Sequence, residues 1–413
     1  MTPSSRTSAL APFRVRSFRF QWPADLATSW AFEMEALILG WYVLATTGSV
    51  QLLVTVAALA WLGSLFSPFF GILGDRIGVR RLLCLTRGTY ALLALGLAAL
   101  TLSGLLQPWH VLVVASIAGL MKPSDMAMRH VLVGHTMRPE ALMGALALSR
   151  TTSDTARVAG AIAGTGGVAL IGMGPAYLVV AAIYVAAFLL SLGVTPPPVS
   201  AGKARAGEVL AGLRDGVRYV WESPALLGTF SMAFLVNLLA YPFFLGLLPY
   251  VARDVYGIGQ SGLGYLAGAF AGGALAGSLA VSANRVPLPA ARVMLLSGAF
   301  WFVAILLFGQ IRSLGVGLAL LFVTGFVQSF CLTPLAAVML RASSEAMRGR
   351  VMGIRMLAIW GLPLGLVAAG PLIAGLGFAA TTLLYAGLGL AATLAIGMRW
   401  QRALWHRSAA ANL

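Results

Sequence analysis

The chain has 413 residues, 59% of them hydrophobic and only 10% charged, with a net charge of +16 and a mean hydropathy of +0.89. Soluble domains carry about 25% charged residues, so a soluble globular fold is excluded. Apolar runs of about twenty residues recur along the whole length, each long enough to cross a bilayer as a helix. They are continuous rather than alternating, which excludes the strands of a membrane barrel.

The pattern predicts an all-α polytopic membrane protein of about twelve spans. Their expected limits are 20–46, 51–73, 81–104, 109–131, 140–170, 174–194, 226–250, 262–282, 290–310, 314–340, 349–374 and 378–398. The first run is too long and too acidic for a cleaved signal peptide. It carries Asp25, Glu33 and Glu35. At about 1.5 Å per residue the two glutamates fall near mid-bilayer. Two positions apart on a helix they point about 160° away from each other, so they should serve different sites.

Between the second and third spans the chain reads GILGDRIGVRRLL, from Gly71 to Leu83. The glycines permit a tight turn and close helix approach. Asp75 is embedded among arginines, where it can form a contact available in one conformation only. The fourth span carries Lys122, Asp125 and Arg129, and the fifth Arg150, Asp154 and Arg157. Each set has helical spacing, so its members share a face and can pair. Charge inside a membrane is costly and marks function by default. These groups are either ion pairs that lock helices together or groups that face a central cavity.

A central segment, 195–225, separates an N-terminal bundle (1–194) from a C-terminal one (226–413). It opens on Thr195-Pro-Pro-Pro198 and continues as GEVLAGLRDGVRYVWESP. There Val209, Leu210, Leu213, Val217, Val220 and Trp221 fall on one stripe, the spacing of an amphipathic helix lying on the membrane face. The second bundle has no comparable charge: Arg355 is its main buried-charge candidate, beside the neutral Asn237 and Gln328. Gly268, Gly272, Gly273 and Gly277 are spaced for helix packing.

The halves repeat. Glu140, Gly144, Arg150, Gly160 and Gly172 match Glu345, Gly349, Arg355, Gly365 and Gly377 at one offset of 205 residues. Two six-helix halves joined by a linker are the mark of a secondary transporter. Basic residues gather on one side of this topology: Arg6, Arg14, Arg16, Arg19, Arg76, Arg80, Arg81, Lys203, Arg205, Arg214, Arg218, Arg399, Arg402 and Arg407, against Arg253 and Arg312 on the other. By the positive-inside rule both termini are cytoplasmic, and the basic surface meets anionic headgroups rather than nucleic acid.

The turn resembles the signature of the major facilitator superfamily at Gly71, Leu73, Asp75, Arg76, Gly78, Arg80 and Arg81, with Val79 in place of a usually basic residue. FRFQWPADLATSW, LGWYVLATTGS and MRGRVMGIRMLAIWGLPLGLVAAGPLIAGLG look like the first and eleventh helices of the branch that includes enterobactin and macrolide exporters. GAIAGTGG in span five is similar to the superfamily's antiporter motif but lacks its Pro. The resemblance implies alternating access and a cytoplasmic gate at the turn. In multidrug antiporters that this arrangement resembles, acids on the first helix exchange protons. Glu33 and Glu35 are the first choices for that role and Asp25 the third.

Neither lysine, Lys122 or Lys203, stands in a GxxxxGK[ST] loop; HExxH and GxSxG are absent; and His110, His130, His135 and His406 lack metal spacing. Cys84 and Cys331 fall in predicted spans. No cofactor, metal or enzyme activity is expected. The expected function is proton-coupled efflux of a small organic compound by a monomer in a bacterial inner membrane, with protons and lipids as partners. Import or uniport of a small solute, an anion among the candidates, is the alternative within transport. A non-transporting receptor is the alternative outside it.

Overall fold

The computed structural model describes residues 11–64, 66–137, 139–195, 206–283 and 288–405; certain side chains within them, Asp75, Arg150 and Asp154 included, lie outside the description. Among the described residues the helices form twelve spans, as the apolar runs predict. Nine are single helices, among them the third to sixth, Val79–Leu102, Pro108–Thr136, Pro139–Ile171 and Met173–Leu192, and the ninth and tenth, Ala290–Gln310 and Leu314–Arg341. The first span is Arg16–Thr47, the eighth Gln260–Ala283 and the twelfth Phe378–Arg399.

Spans two, seven and eleven are broken, which continuous hydropathy did not reveal. The second runs Val50–Leu59 and resumes at Ser67–Ile77. The seventh runs Pro224–Leu239 and continues in short pieces beyond Pro242, a residue that cannot donate to the preceding turn. The eleventh joins Glu345–Leu357 to Gly361–Leu376 through a 3-10 turn.

The two halves are built alike. The first span packs on the fifth as the seventh packs on the eleventh; the second pairs with the fourth as the eighth with the tenth; the third pairs with the sixth as the ninth with the twelfth. The small residues explain these approaches. A Cβ on Gly63 would meet the Leu120 carbonyl and one on Gly119 the Leu59 carbonyl, just as Gly273 and Gly325 abut Phe322 and Phe270 in the second half. Gly160 sits against Glu33 and Trp30, and its repeat partner Gly365 against Leu238. Gly172 and Gly377, another matched pair, each open the next helix at φ 80° and 82°, a conformation that glycine adopts without strain.

The start of the first span, the last described residues near Trp405 and the linker helix Ala206–Glu222 lie on one face of the bundle, the linker face. Thr195 N–H donates to Ser17 Oγ, and Arg292 donates to the Trp405 carbonyl. Close contacts between the halves lie on the other side. Gly264 of span eight abuts Thr165 and Ala161 of span five, and Gly370 of span eleven abuts Gln51 and Val54 of span two. Arg253 donates across to the Leu44 carbonyl. On the linker face, the linker helix lies against both the end of span two and the head of span eleven. The halves therefore meet closely on the far face, and the linker helix bridges them on the other.

Candidate functional site

The first bundle holds two polar centres on either side of the Phe32 ring. The one nearer the linker face is a four-residue ion cluster. Arg87 of span three donates to Asp25 of span one, to Asp125 Oδ1 of span four at 3.3 Å, and to Ser191 Oγ of span six at 2.7 Å. Arg129, one helical turn below Asp125, donates Nε to Asp125 Oδ2 at 2.7 Å and Nη1 to Ser29 Oγ at 2.8 Å, and stands 3.7 Å from Asp25. The Arg87 and Asp125 side chains are fully enclosed, at 0% exposure each. Two arginines and two aspartates make a neutral cluster that ties four helices together. A buried charge is tolerated only when so completely paired.

Lys122 does not join this cluster, contrary to the pairing with Asp125 that its spacing suggested. The i, i+3 relation places both residues on one face, but Asp125 is already saturated by Arg87 and Arg129. The Lys122 ammonium instead lies over the rings of Phe32, at 4.9 Å, and Trp61, at 5.1 Å. Trp61 sits in the break of span two, so the interruption itself supplies half of this aromatic bracket. Cation–π contact of this kind compensates for lost water. Lys122 has no carboxylate in direct contact among the described residues, but it stands in the field of Glu33 and Glu35.

The second centre lies about 12 Å further along the first span, eight residues at 1.5 Å each. Glu33 and Glu35 diverge there as their spacing requires. Glu35 turns to span six and accepts from the hydroxyls of Tyr177 and Tyr184, the latter at 2.7 Å. Glu33 turns to span five and pairs with Arg157 Nε at 3.7 Å, both side chains being 34% exposed. The first acid is enclosed and doubly held. The second has a long, open pairing that thermal motion can break.

The turn motif bends the chain at its second glycine. The helix Ser67–Ile77 ends at Gly78, whose φ of 92° suits glycine, and Val79 opens the third span. Arg80 donates to the Leu192 carbonyl, capping the end of span six, while Arg76 and Arg81 are exposed. The positions of the Asp75, Arg150 and Asp154 side chains, and the surroundings of Gly71, lie outside the described residues. In the second half Arg355 is half-buried in the head of span eleven. Gln328 donates to Tyr241 at 2.5 Å, and Asn237 donates to the Ala233 carbonyl at 2.9 Å. Sequence reasoning missed Arg87, although a lone arginine in the third apolar run carried the same signal as those in spans four and five. It also missed Tyr177 and Tyr184, which nothing but an acid on a facing helix distinguishes from ordinary core tyrosines.

Repeated six-helix halves, in close contact on the far face and with a buried ion cluster in the first, are matched by a known family over residues 25–368. The chain belongs to the Major Facilitator Superfamily. Its fold is similar to that of the nucleoside transporter NupG, with a TM-score of 0.73 at 14% identity over 94% of this chain and 99% of that one. A bacterial homolog of the human lysosomal transporter Spinster, inward-facing and unoccupied, gives 0.71 at 13% identity, covering 95% and 99% of the two chains. A D-xylose-proton symporter gives 0.73 at 11% identity, covering 96% and 100%. At these identities the likeness shows the superfamily's fold alone. No curated protein matches the sequence. The superfamily fold is that of a secondary transporter working by alternating access.

Proposed function

We propose that this protein exports a small organic compound in exchange for protons, with the linker face cytoplasmic and Glu33 as the acid that takes up and releases the proton. The observation that carries this reading is the Glu33–Arg157 pair. It is half-exposed and long, so water and protons reach it, and protonating Glu33 removes the negative charge that faces Arg157. Arg157 stands at the edge of two stripes on span five. Gly160 and Gly164, three and seven residues on, pack on the first span, and Ala161 and Thr165, four and eight residues on, meet Gly264 of the other half. A change of charge at Glu33 is thereby felt one turn from the contact that holds the far face shut. Asp25, clasped between two arginines, belongs with the structural cluster, and Glu35 with its tyrosines forms the inner store beside the exchanging acid. The arginine-rich linker face supports the cytoplasmic placement of both termini.

Lys122 favours a second reading. With no carboxylate in direct contact among the described residues, its ammonium is available to an anionic substrate, for which it would compete with the fields of Glu33 and Glu35. An anion bound there favours protonation of the neighbouring glutamates, which is the sign of coupling for symport rather than exchange. Proteoliposomes with an imposed pH gradient separate the two. Exchange predicts that substrate entering the lumen drives protons out; symport predicts that the two move together. In the exchange reading Glu33→Gln abolishes uphill transport and leaves substrate exchange intact. Normal gradient-driven transport in the Glu33→Gln, Glu35→Gln double variant would sink proton coupling at these acids in either reading.

A further inference from the structure

The linker helix presents two different faces, where its sequence suggests one apolar stripe. Its inner side clasps the head of span eleven. Gly216 lies under Ile354 and Arg350, Asp215 stands 3.6 Å from Arg350, and Tyr219 Oη accepts from the Ser344 N–H at 3.2 Å. Val220 on this side is buried. Val217 and Trp221 point the other way, 40% and 71% exposed, although sequence spacing grouped them with Val220. Arg214 and Arg218 are exposed on the same outer side. Positions 214, 217, 218 and 221 are one, or nearly two, helical turns apart and form a single stripe that alternates arginine with apolar residues.

The direction of the helix gives this stripe its meaning. The helix meets the first piece of span seven at 105°, the break falling at Ser223. A span crosses the bilayer, so a helix at right angles to it lies in the plane of the membrane surface. Trp221 is three residues from Pro224, where the span begins, and so sits at the depth of the headgroups. Tryptophan favours that depth because its ring is apolar and its N–H is polar. Arginines beside it meet the negative potential of anionic lipid.

We infer that the outer stripe of the linker helix, Arg214, Val217, Arg218 and Trp221, is a docking surface for the anionic headgroups of the leaflet at the linker face. Glu222 lies 3.7 Å from Arg218 on an open surface, so it offsets part of one arginine's charge without closing the site. Because the inner side of the same helix holds span eleven, the docked lipid bears on the element that moves when the linker face closes.

The test uses the full chain in lipid nanodiscs with a nitroxide at Val217→Cys on a Cys84→Ser background, Cys331 being buried. Collisional accessibility to oxygen and to a water-soluble nickel complex reports depth. In discs containing phosphatidylglycerol the label reads headgroup depth, and in phosphatidylcholine alone it reads water. Arg214→Gln with Arg218→Gln removes the difference, at about fivefold in lipid preference per arginine, and Arg214→Lys with Arg218→Lys keeps it. An aqueous reading in both lipids overturns the docking. Headgroup depth in both lipids and in the glutamine pair reduces the face to apolar contact and overturns the recognition of charge. A shift produced by soluble glycerol phosphate in phosphatidylcholine discs points to a free-anion site and overturns the lipid. The comparison of the two lipids uses one protein, so it holds even if a variant folds poorly.

Discussion

Replacing Arg87 with Gln should unfold the first bundle before it affects transport chemistry. Arg87 is the hub of the lower cluster: it reaches Asp25, Asp125 and Ser191 on three different helices, with its side chain wholly enclosed. Without it, Asp25 and Asp125 must share Arg129, and the cluster carries one uncompensated negative charge. Breaking a buried pair in this way costs about 3–5 kcal/mol. The half-exposed Glu33–Arg157 pair sets the contrast, since an open ion pair contributes about 0–1 kcal/mol. Chemical unfolding of the purified protein in mixed micelles, followed by tryptophan fluorescence, measures both. Arg87→Gln should lose several kcal/mol and Glu33→Gln one or less. Adding Asp125→Asn to Arg87→Gln restores neutrality around Asp25 and Arg129, so the double variant should be more stable than the two single losses sum to, by about 0.5–3 kcal/mol. An Arg87→Gln protein within 1 kcal/mol of the parent, or a double variant with strictly additive loss, would refute the cluster as a structural lock.

Further consequences follow from the same geometry. Tyr177→Phe with Tyr184→Phe removes both hydroxyls from Glu35, and should cut gradient-driven transport at least tenfold while substrate exchange survives; equal loss of both activities in proteoliposomes would make the tyrosines merely structural. Arg253→Ala deletes the bond to the Leu44 carbonyl, a neutral acceptor for a charged donor, worth about 1.5–3 kcal/mol. The far face should then open more often, seen as roughly tenfold faster labelling of a cysteine placed at Gln51. Gly264→Leu drives a side chain into Thr165 and wedges spans five and eight apart, so transport should stop in a protein that still purifies as a single species; wild-type transport would show that this contact need not close.

How much of this was legible in the sequence depends on what each residue's neighbours are. The twelve apolar runs give the spans because bilayer thickness fixes their length. Eight helices among the described residues pass on length and apolar composition alone. The first and fifth are diluted by the charges that make them interesting, and the second and seventh are interrupted. The glycine repeats were legible too, since Gly160, Gly365, Gly172 and Gly377 occupy equivalent places where a side chain or a negative φ does not fit. The divergence of Glu33 and Glu35 followed from helix geometry alone. The partner of Asp125 did not. Spacing along one helix offered Lys122 and Arg129 equally, and the choice was made by Arg87 on another span, 38 positions away in sequence. The split of the linker stripe was hidden for the same reason: apolar spacing says which residues share a helix face, not which of them a neighbouring helix covers.

The distribution of charge between the halves constrains how the molecule works. Every enclosed ion pair among the described residues lies in the first half; the second half's pairs, Arg253 with Asp254, Arg348 with Glu345 and Arg350 with Asp215, are partly or largely exposed. The second half is held by aromatic packing, with Phe244 stacked on Phe270 at 4.4 Å and Trp301 set edge-on to Tyr241 at 5.3 Å. Such packing has one arrangement and no proton to lose, so this half suits a rigid body that rocks as a unit. The first half has groups whose pairing changes with protonation, and it offers them at span five, the helix that touches its partner through Ala161 and Thr165. In the exchange we propose, chemistry in one half and stiffness in the other let a single charge change act on the whole interface. A second half softened by its own ion pairs would absorb that change in internal rearrangement before it reached the contact with span eight.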